Sequence, residues 1–528
     1  MTTAITIGMI IIYVAIMMGI GVYTARQTRS VSDFVLGSHS VGSWLTAFAY
    51  GTSYFSAVVF IGYAGQFGWT YGVSAAWVGV GNALLGSLLA WIVLGRRTRI
   101  MTQSLGAKTM PEYFEKRWNS KGLKIAAALI VFVFLIPYTA SVYNGLSRLF
   151  NMAFQIESEG AYKIIIIVMA LLTAIYVILG GYAATAINDF IQGIVMLIGI
   201  AAVVICAIQN QGGLTSALAA LGEIEVNGKT NTLNSVFGPD PLNLLGVVIL
   251  TSLGTWGLPQ MIHKFYAIKS ENDIKKGAVI STVFALIVAG GSYLLGGFDR
   301  LFCTLTEDGS GKTVISTLSN GKPDFDAMIP SLLHTALPDI LIGLVVVLVL
   351  SASMSTLSSL VLTSSSTLTI DLIKPNLKKC SDKKEMLIMR VLIAVFLVIS
   401  VLLAFNKNAS ISTLMSYSWG ALAGAFLGPF MYGLFSRKIT KPAVWTSFIL
   451  GIGLTLVHMF LFGFGWNPEL SKAAASLPLN LASPINAGAI TMLLSLIMVP
   501  VVSALTKVKD PKHVEQVFTC YAAPEKQD

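Results

Sequence analysis

The chain has 528 residues, 55% of them hydrophobic and 11% charged, where an ordinary soluble domain is roughly a quarter charged. That composition excludes a water-soluble globule, which could not hide so much apolar surface. The formal net charge of +10 is spread over alternate loops, so it points to membrane orientation and no nucleic acid is expected as a partner.

A membrane-crossing helix needs about 20 mainly apolar residues. Thirteen such runs follow one another, at 4–24, 41–64, 72–95, 123–151, 161–180, 188–208, 241–266, 275–299, 328–368, 387–405, 411–435, 441–463 and 484–506. The expected fold class is therefore an all-α polytopic membrane protein. The first run lacks a basic stretch before it and a small-residue cleavage site after it, so a retained helix is expected.

The second run carries Gly51-Thr52-Ser53 at its middle. The seventh carries Gly254-Thr255-Trp256-Gly257-Leu258-Pro259, and Pro259 has no backbone N–H to donate. Each opens a block of five runs, the signature of an inverted repeat whose first helix is broken. The expected organisation is an extra helix and loop (1–40), two five-helix repeats (41–210 and 241–436), two further helices (437–506) and a tail (507–528). Unwound backbone at membrane depth is tolerated only inside protein or along a wet cavity, so the two breaks are expected to meet near the midplane on a solute or ion path.

With the N-terminus outside, the loops left inside hold 26 of the 35 Lys and Arg. The positive-inside rule then predicts a multi-pass plasma-membrane protein with its C-terminus in the cytoplasm. Arg148, Lys264 and Arg390 lie near or within runs and are expected to snorkel to the interface.

Cys206, Cys303, Cys380 and Cys520 show no paired spacing, and His39, His263, His334, His458 and His513 show no ligand spacing. Neither a disulfide framework nor a zinc site is expected. His334 and His458, inside runs, are expected to pack. Gly309-Ser310-Gly311-Lys312-Thr313 ends like a phosphate-binding loop but has Thr306 where that loop needs glycine. Lacking a nucleophile elbow, a metalloprotease helix or paired carboxylates, the chain is expected to be no enzyme and to use no organic cofactor.

The densest hydroxyl cluster is Ser351-Ala352-Ser353-Met354-Ser355-Thr356-Leu357-Ser358-Ser359 in the ninth run. Hydroxyls and freed carbonyls suit a hard alkali cation. Taken singly, each hydroxyl is equally served by bonding the carbonyl one turn back. Asp189, in Asn188-Asp189-Phe190, is an intramembrane carboxylate and a functional candidate by default. It is also well placed to cap the sixth helix at the cytoplasmic boundary, and depth alone leaves the two open.

The Gly-x-Ser-x-x-Ser of the second run, Ala352-x-Met354-Ser355-Thr356-Leu357-Ser358-Ser359, and Ser416-Tyr417-Ser418-Trp419 together resemble the sodium/solute symporter family. So do Phe34-Val35-Leu36-Gly37, Gly180-Gly181, Gly257-Leu258-Pro259-Gln260 and Ala425-Phe426-Leu427-Gly428-Pro429. The likeness spans nearly the whole chain and is strongest to the sodium/proline branch. It implies a LeuT-like core and about thirteen helices. It also implies one sodium ion held by the carbonyls of Thr52, Phe55 and Ala352 and the hydroxyls of Ser355 and Thr356. Some relatives hold a second ion, at positions matching Asp189, Ser358 and Ser359. The implied solute pocket, beside the first ion, is lined by Tyr54, Ser56, Tyr138, Thr255, Trp256, Gln260 and Trp419. Tyr54 stands where the branch carries an acidic residue, and Gly257-Leu258-Pro259-Gln260 where it carries Gly-Gln-Pro-His, departures that bear on which solute is carried.

The expected function is sodium-coupled symport of a small organic solute, an amino acid such as proline or a monocarboxylate, by alternating access. Two competing readings are a proton-coupled carrier using Asp189 and an ion-binding membrane sensor, the latter disfavoured by the short segment after residue 506. The expected partners are sodium, the solute and membrane lipid.

Overall fold

A computed structural model describes residues 2–25, 30–37, 41–155, 158–307, 309, 311–318, 321–377, 381–405 and 410–522. His39, Ser310 and Cys380 from the reading above lie outside the described residues.

Helix α1 (Thr2–Ala25) is uncharged and largely apolar. Helix α2 (Val31–Leu36) is set by a capping box, in which the Ser30 hydroxyl accepts from the Asp33 N–H and the Asp33 carboxylate from the Ser30 N–H. It ends at Gly37, whose left-handed φ of 55° suits glycine.

The second predicted run is broken, one turn later than its Gly51-Thr52-Ser53 suggested. Helix α3 (Ser43–Tyr54) continues through that triplet and stops at Phe55, which is extended. The chain restarts as a wide π-turn (Val58–Tyr63) leading into α4 (Ala64–Tyr71). The physical cause is Ser56: its hydroxyl accepts from the Val58 N–H at 3.2 Å and its carbonyl from Val59 and Phe60, so it starts a new helix where the old ladder would have run.

Helix α5 (Ala76–Gly81) runs through the π-turns Asn82–Leu89 and Trp91–Gly95 into α6 (Arg96–Leu105). Two capped helices follow, α7 (Met110–Trp118) on Thr109 and α8 (Lys121–Phe154) on Ser120. The fifth and sixth runs form one stretch, α9 (Glu159–Asn210), of 52 residues. At 1.5 Å per residue a straight helix of that length would be far longer than a bilayer is thick. Gly181, at φ 56° and ψ −148°, divides it. Both arms then lie along the helix of the ninth run, Tyr176 bonding the Met354 carbonyl at 2.7 Å and Gly199 packing on Leu348.

Beyond α10 (Leu214–Glu223), the seventh run breaks as expected between α11 (Pro241–Gly254) and α12 (Pro259–Ala267). Then come α13 (Glu271–Gly296) and α14 (Asp299–Phe302), and a two-residue parallel ladder of β1 (Cys303–Thr304) with β2 (Thr313–Val314). The ninth run is two helices, not one: α15 (Met328–Ala336) and α16 (Asp339–Thr367). Pro338 has no N–H to give and holds Leu337 extended, at φ −106° and ψ 141°. His334, expected to pack inside the membrane, is exposed on α15.

The remaining helices are α17 (Asp382–Ala404), α18 (Ile411–Phe435), α19 (Lys441–His458), α20 (Pro468–Ala475), α21 (Pro484–Leu505) and α22 (Pro511–Phe518). His458 packs as expected, between Tyr417 and Phe462. By length and composition, ten described helical stretches can cross a membrane. The thirteen predicted runs correspond to these ten stretches if α9 is divided at Gly181, the broken second run is counted apart from α5–α6, and α18, which is not among the ten, is added.

Candidate functional site

The two helix breaks and α16 come together in the protein interior. None of the fifteen predicted ion and solute residues is more than 5% exposed.

The residues predicted for the first cation position meet where α3 ends. Among the described residues no backbone bond carries the ladder from Ser56 back to Thr52, which frees the Thr52 carbonyl. Thr356 of α16 fills the gap: its hydroxyl lies 3.3 Å from that carbonyl and 3.1 Å from the carbonyl of Ala352. The Ser355 hydroxyl donates to the Thr52 hydroxyl at 2.7 Å. Four of the five predicted residues thus form one oxygen cluster, with Phe55 at the extended residue that closes it. A hydroxyl that donates to a carbonyl still offers lone pairs to a cation, so the arrangement can replace hydration oxygens.

The predicted second position is arranged differently. Ser358 turns back on its own helix, its hydroxyl donating to the Ser355 carbonyl at 2.8 Å. Ser359 bridges to α3, 2.7 Å from the Ser53 hydroxyl. Asp189 is no helix cap. It lies in the second arm of α9, two turns past Gly181, fully buried, and neither carboxylate oxygen has a hydrogen-bond partner among the described residues.

Lys264 corrects the snorkelling expectation. Its side chain is 2% exposed, its ammonium donates to the Ser359 hydroxyl at 3.0 Å, and it stands 3.8 Å from the Asp189 carboxylate. The Tyr182 ring lies beneath it at 5.3 Å. Arg148, 20% exposed, instead pairs with Asp324 in the segment ahead of α15. The signal for Lys264 was present in the sequence, because a cation within a predicted span is as much a functional candidate as a carboxylate. Ser53 was missed because it gained significance only through its partner on α16, 306 positions away.

The predicted solute residues divide into two groups. Tyr54, Thr255 and Trp256 are tied down by carbonyls. Tyr54 donates to Thr251, Thr255 to Gly86 at 2.9 Å, and Trp256 to Leu85 at 2.9 Å. Leu85 and Gly86 lie in the π-turn after α5, a geometry that recurs at functional sites. Tyr138, Gln260 and Trp419 are the second group: the Tyr138 hydroxyl, both Gln260 amide atoms and the Trp419 indole N–H are buried without partners among the described residues. Trp419 stacks on Tyr54 at 6.0 Å and meets Tyr138 edge-on at 5.9 Å, so two of these unpartnered donors share one aromatic wall. Ser56, as described, starts the second half of the broken helix.

Polar contacts flank this site on two sides. On one, the Ser412 hydroxyl donates to Gln66 and Tyr63 meets Ser416 at 3.2 Å. Beyond them lies a 480 Å³ cavity whose lining includes Gln66, Asp240, Asn243, Asn480 and Asn486. On the other, Thr109 donates to Asp371 at 2.7 Å and Lys124 joins Glu115 at 2.9 Å.

Residues 34–451 match the model of the sodium:solute symporter family. Among curated proteins, the chain is 30% identical over 459 residues to sodium/proline symporters of Staphylococcus aureus strains JH9 and USA300, covering 85% of each chain. Among solved structures, a Na+-coupled sialic acid symporter in a substrate-bound outward-open state aligns with a TM-score of 0.71 at 17% identity, over 96% of this chain and 98% of that one. The nucleobase-cation-symport-1 family transporter Mhp1, closed on bromovinylhydantoin, aligns with a TM-score of 0.52 at 14% identity, over 92% and 98%.

Proposed function

The chain belongs to the sodium:solute symporter family, and from that premise we propose that it draws one small amino acid or monocarboxylate into the cell with sodium bound at the end of α3. Sodium-coupled symport is the family's work, and transport, not catalysis, is this chain's. The finer reading rests chiefly on one observation, the freed Thr52 carbonyl facing the Thr356 and Ser355 hydroxyls across the helix break. A proline-sized solute is supported by the likeness to sodium/proline symporters and by the small group of unpartnered donors on Tyr138, Gln260 and Trp419.

In this reading sodium bridges α3 to α16 and fixes the wall against which the solute binds. Each ligand must favour one conformation over the other, since equal affinity for both shifts nothing. Each should then raise the other's affinity by the same factor. A membrane voltage of 100 mV contributes about 2.3 kcal/mol per charge carried inward. The basic residues of alternate loops support an N-terminus outside and a C-terminus in the cytoplasm.

The test is uptake into proteoliposomes of labelled amino acids and monocarboxylates, with an inward sodium gradient or with choline throughout. One compound accumulated only with sodium is the expected result. Equal uptake in choline defeats the reading, and uptake that follows a proton gradient alone would favour the proton-coupled alternative.

A further inference from the structure

The buried pair Lys264–Asp189 has no part in the transport cycle described so far, and it lies on two of the three residues that the family resemblance offers to a second sodium ion. Resting on the symport reading above, we infer that the Lys264 ammonium is a tethered cation occupying this second position, so that the chain carries a single sodium ion per solute.

The geometry carries the inference. A mobile ion there would need oxygens from Asp189, Ser358 and Ser359 together. The Ser359 hydroxyl already accepts from Lys264 at 3.0 Å and contacts Ser53 at 2.7 Å. Ser358 donates into its own helix. Asp189, whose oxygens have no hydrogen-bond partner among the described residues, has Lys264 as the cation within 4 Å. The pair is sealed from water, with side chains 2% and 1% exposed. One carboxylate and one ammonium leave this pocket neutral. An added sodium would leave an uncompensated positive charge where no solvent can screen it.

The tether also has a mechanical consequence. Lys264 is on α12, the second half of the second broken helix, whereas Ser359 and its partner Ser53 are on α16 and α3. The ammonium joins the two broken helices through α16, as a bound ion would, but it cannot dissociate into the cytoplasm. It is a positioning residue for the transport cycle and a selectivity residue for ion number.

The experiment counts ions and needs no knowledge of the solute. Equilibrium binding of ²²Na+ to the purified full-length chain should reach one ion per wild-type molecule. Lys264→Met should raise this to two, and Lys264→Met/Asp189→Asn, which keeps the pocket neutral, should return it to one. Two ions bound to wild type would overturn the inference while leaving symport intact. So would a folded Lys264→Met protein that still binds one. Should Lys264→Met prove too unstable to measure, the wild-type count decides alone. A wild type that binds no sodium defeats the symport reading, and this inference with it.

Discussion

Replacing Thr356 by valine keeps the shape of the side chain and removes one oxygen. In the structure that oxygen lies between the Thr52 carbonyl at 3.3 Å and the Ala352 carbonyl at 3.1 Å, fully buried. Without sodium, the valine leaves the Thr52 carbonyl unpaired, at a cost of about 1–3 kcal/mol. With sodium bound, it removes one ligand of the ion, whose replacement by water is hindered because the cluster is sealed. A loss of about 1.4–3 kcal/mol in sodium binding corresponds to roughly a tenfold to hundredfold rise in the half-saturating sodium concentration. The maximal uptake rate should be largely restored at high sodium, because the proposed solute wall of Tyr54, Tyr138 and Trp419 is untouched. Ser358→Ala is the internal comparison: its hydroxyl donates to the Ser355 carbonyl of its own helix, so half-saturating sodium should move by no more than about twofold, the effect of a few tenths of a kcal/mol. The assay is the initial rate of uptake into proteoliposomes against external sodium. An unchanged half-saturation for Thr356→Val, in protein that inserts and elutes normally, would refute the assignment of the ion to this helix break.

Tyr138→Phe should raise the solute concentration for half-maximal uptake several-fold without lowering the melting temperature, because the hydroxyl it removes is buried and unpartnered among the described residues; a lower melting temperature would make Tyr138 a structural residue instead. Gly254→Ala puts a methyl 2.4 Å from the Trp419 ring, so it should displace the indole and weaken solute uptake while ²²Na+ binding stays near the wild-type level. Asp326, in the segment ahead of α15, is buried, which pushes its carboxyl up to about 6 despite the opposing pull of Arg148. A carboxyl whose folded value lies above its unfolded one makes the fold bind more protons, so its contribution to stability falls as pH rises from about 4 to about 6. Asp326→Asn keeps an acceptor for the Ile411 N–H at 3.1 Å and should flatten the melting-temperature profile over that window; an unchanged slope would rule out this carboxyl as its source.

What the sequence disclosed and what it withheld divide along the distance between partners. Span positions were legible because each apolar run carries its own signal, and the break at Gly254–Pro259 was legible because Pro259 lacks an N–H. The break near Gly51 was misplaced by one turn, since its cause is the Ser56 hydroxyl capturing the next helix start. The division at Pro338 was overlooked because apolar residues continue on both sides of it. The hydroxyls of α16 were visible as a cluster, yet their division of labour was not. Ser355 and Thr356 reach α3, Ser358 bonds inward, and Ser359 reaches both Ser53 and Lys264. Nothing in a run of serines and threonines says which will do which.

That division of labour has a consequence for coupling. Within about one turn of α16, Ser355 and Thr356 tie it to Thr52, and Ser359 ties it to Ser53 and, through Lys264, to α12. In the proposed reading, the first tie is the one that a sodium ion strengthens and its departure weakens. The second consists of fixed groups and has no ligand to lose. A conformational change that swings α3 and α12 away from α16 must therefore break the Lys264 contacts against a constant cost, while the cost at Thr52 depends on whether sodium is present. Only the variable term can make the equilibrium between states respond to sodium, so under this proposal the permanent cation would set how strongly the resting protein is held closed, and the mobile one would decide when it opens.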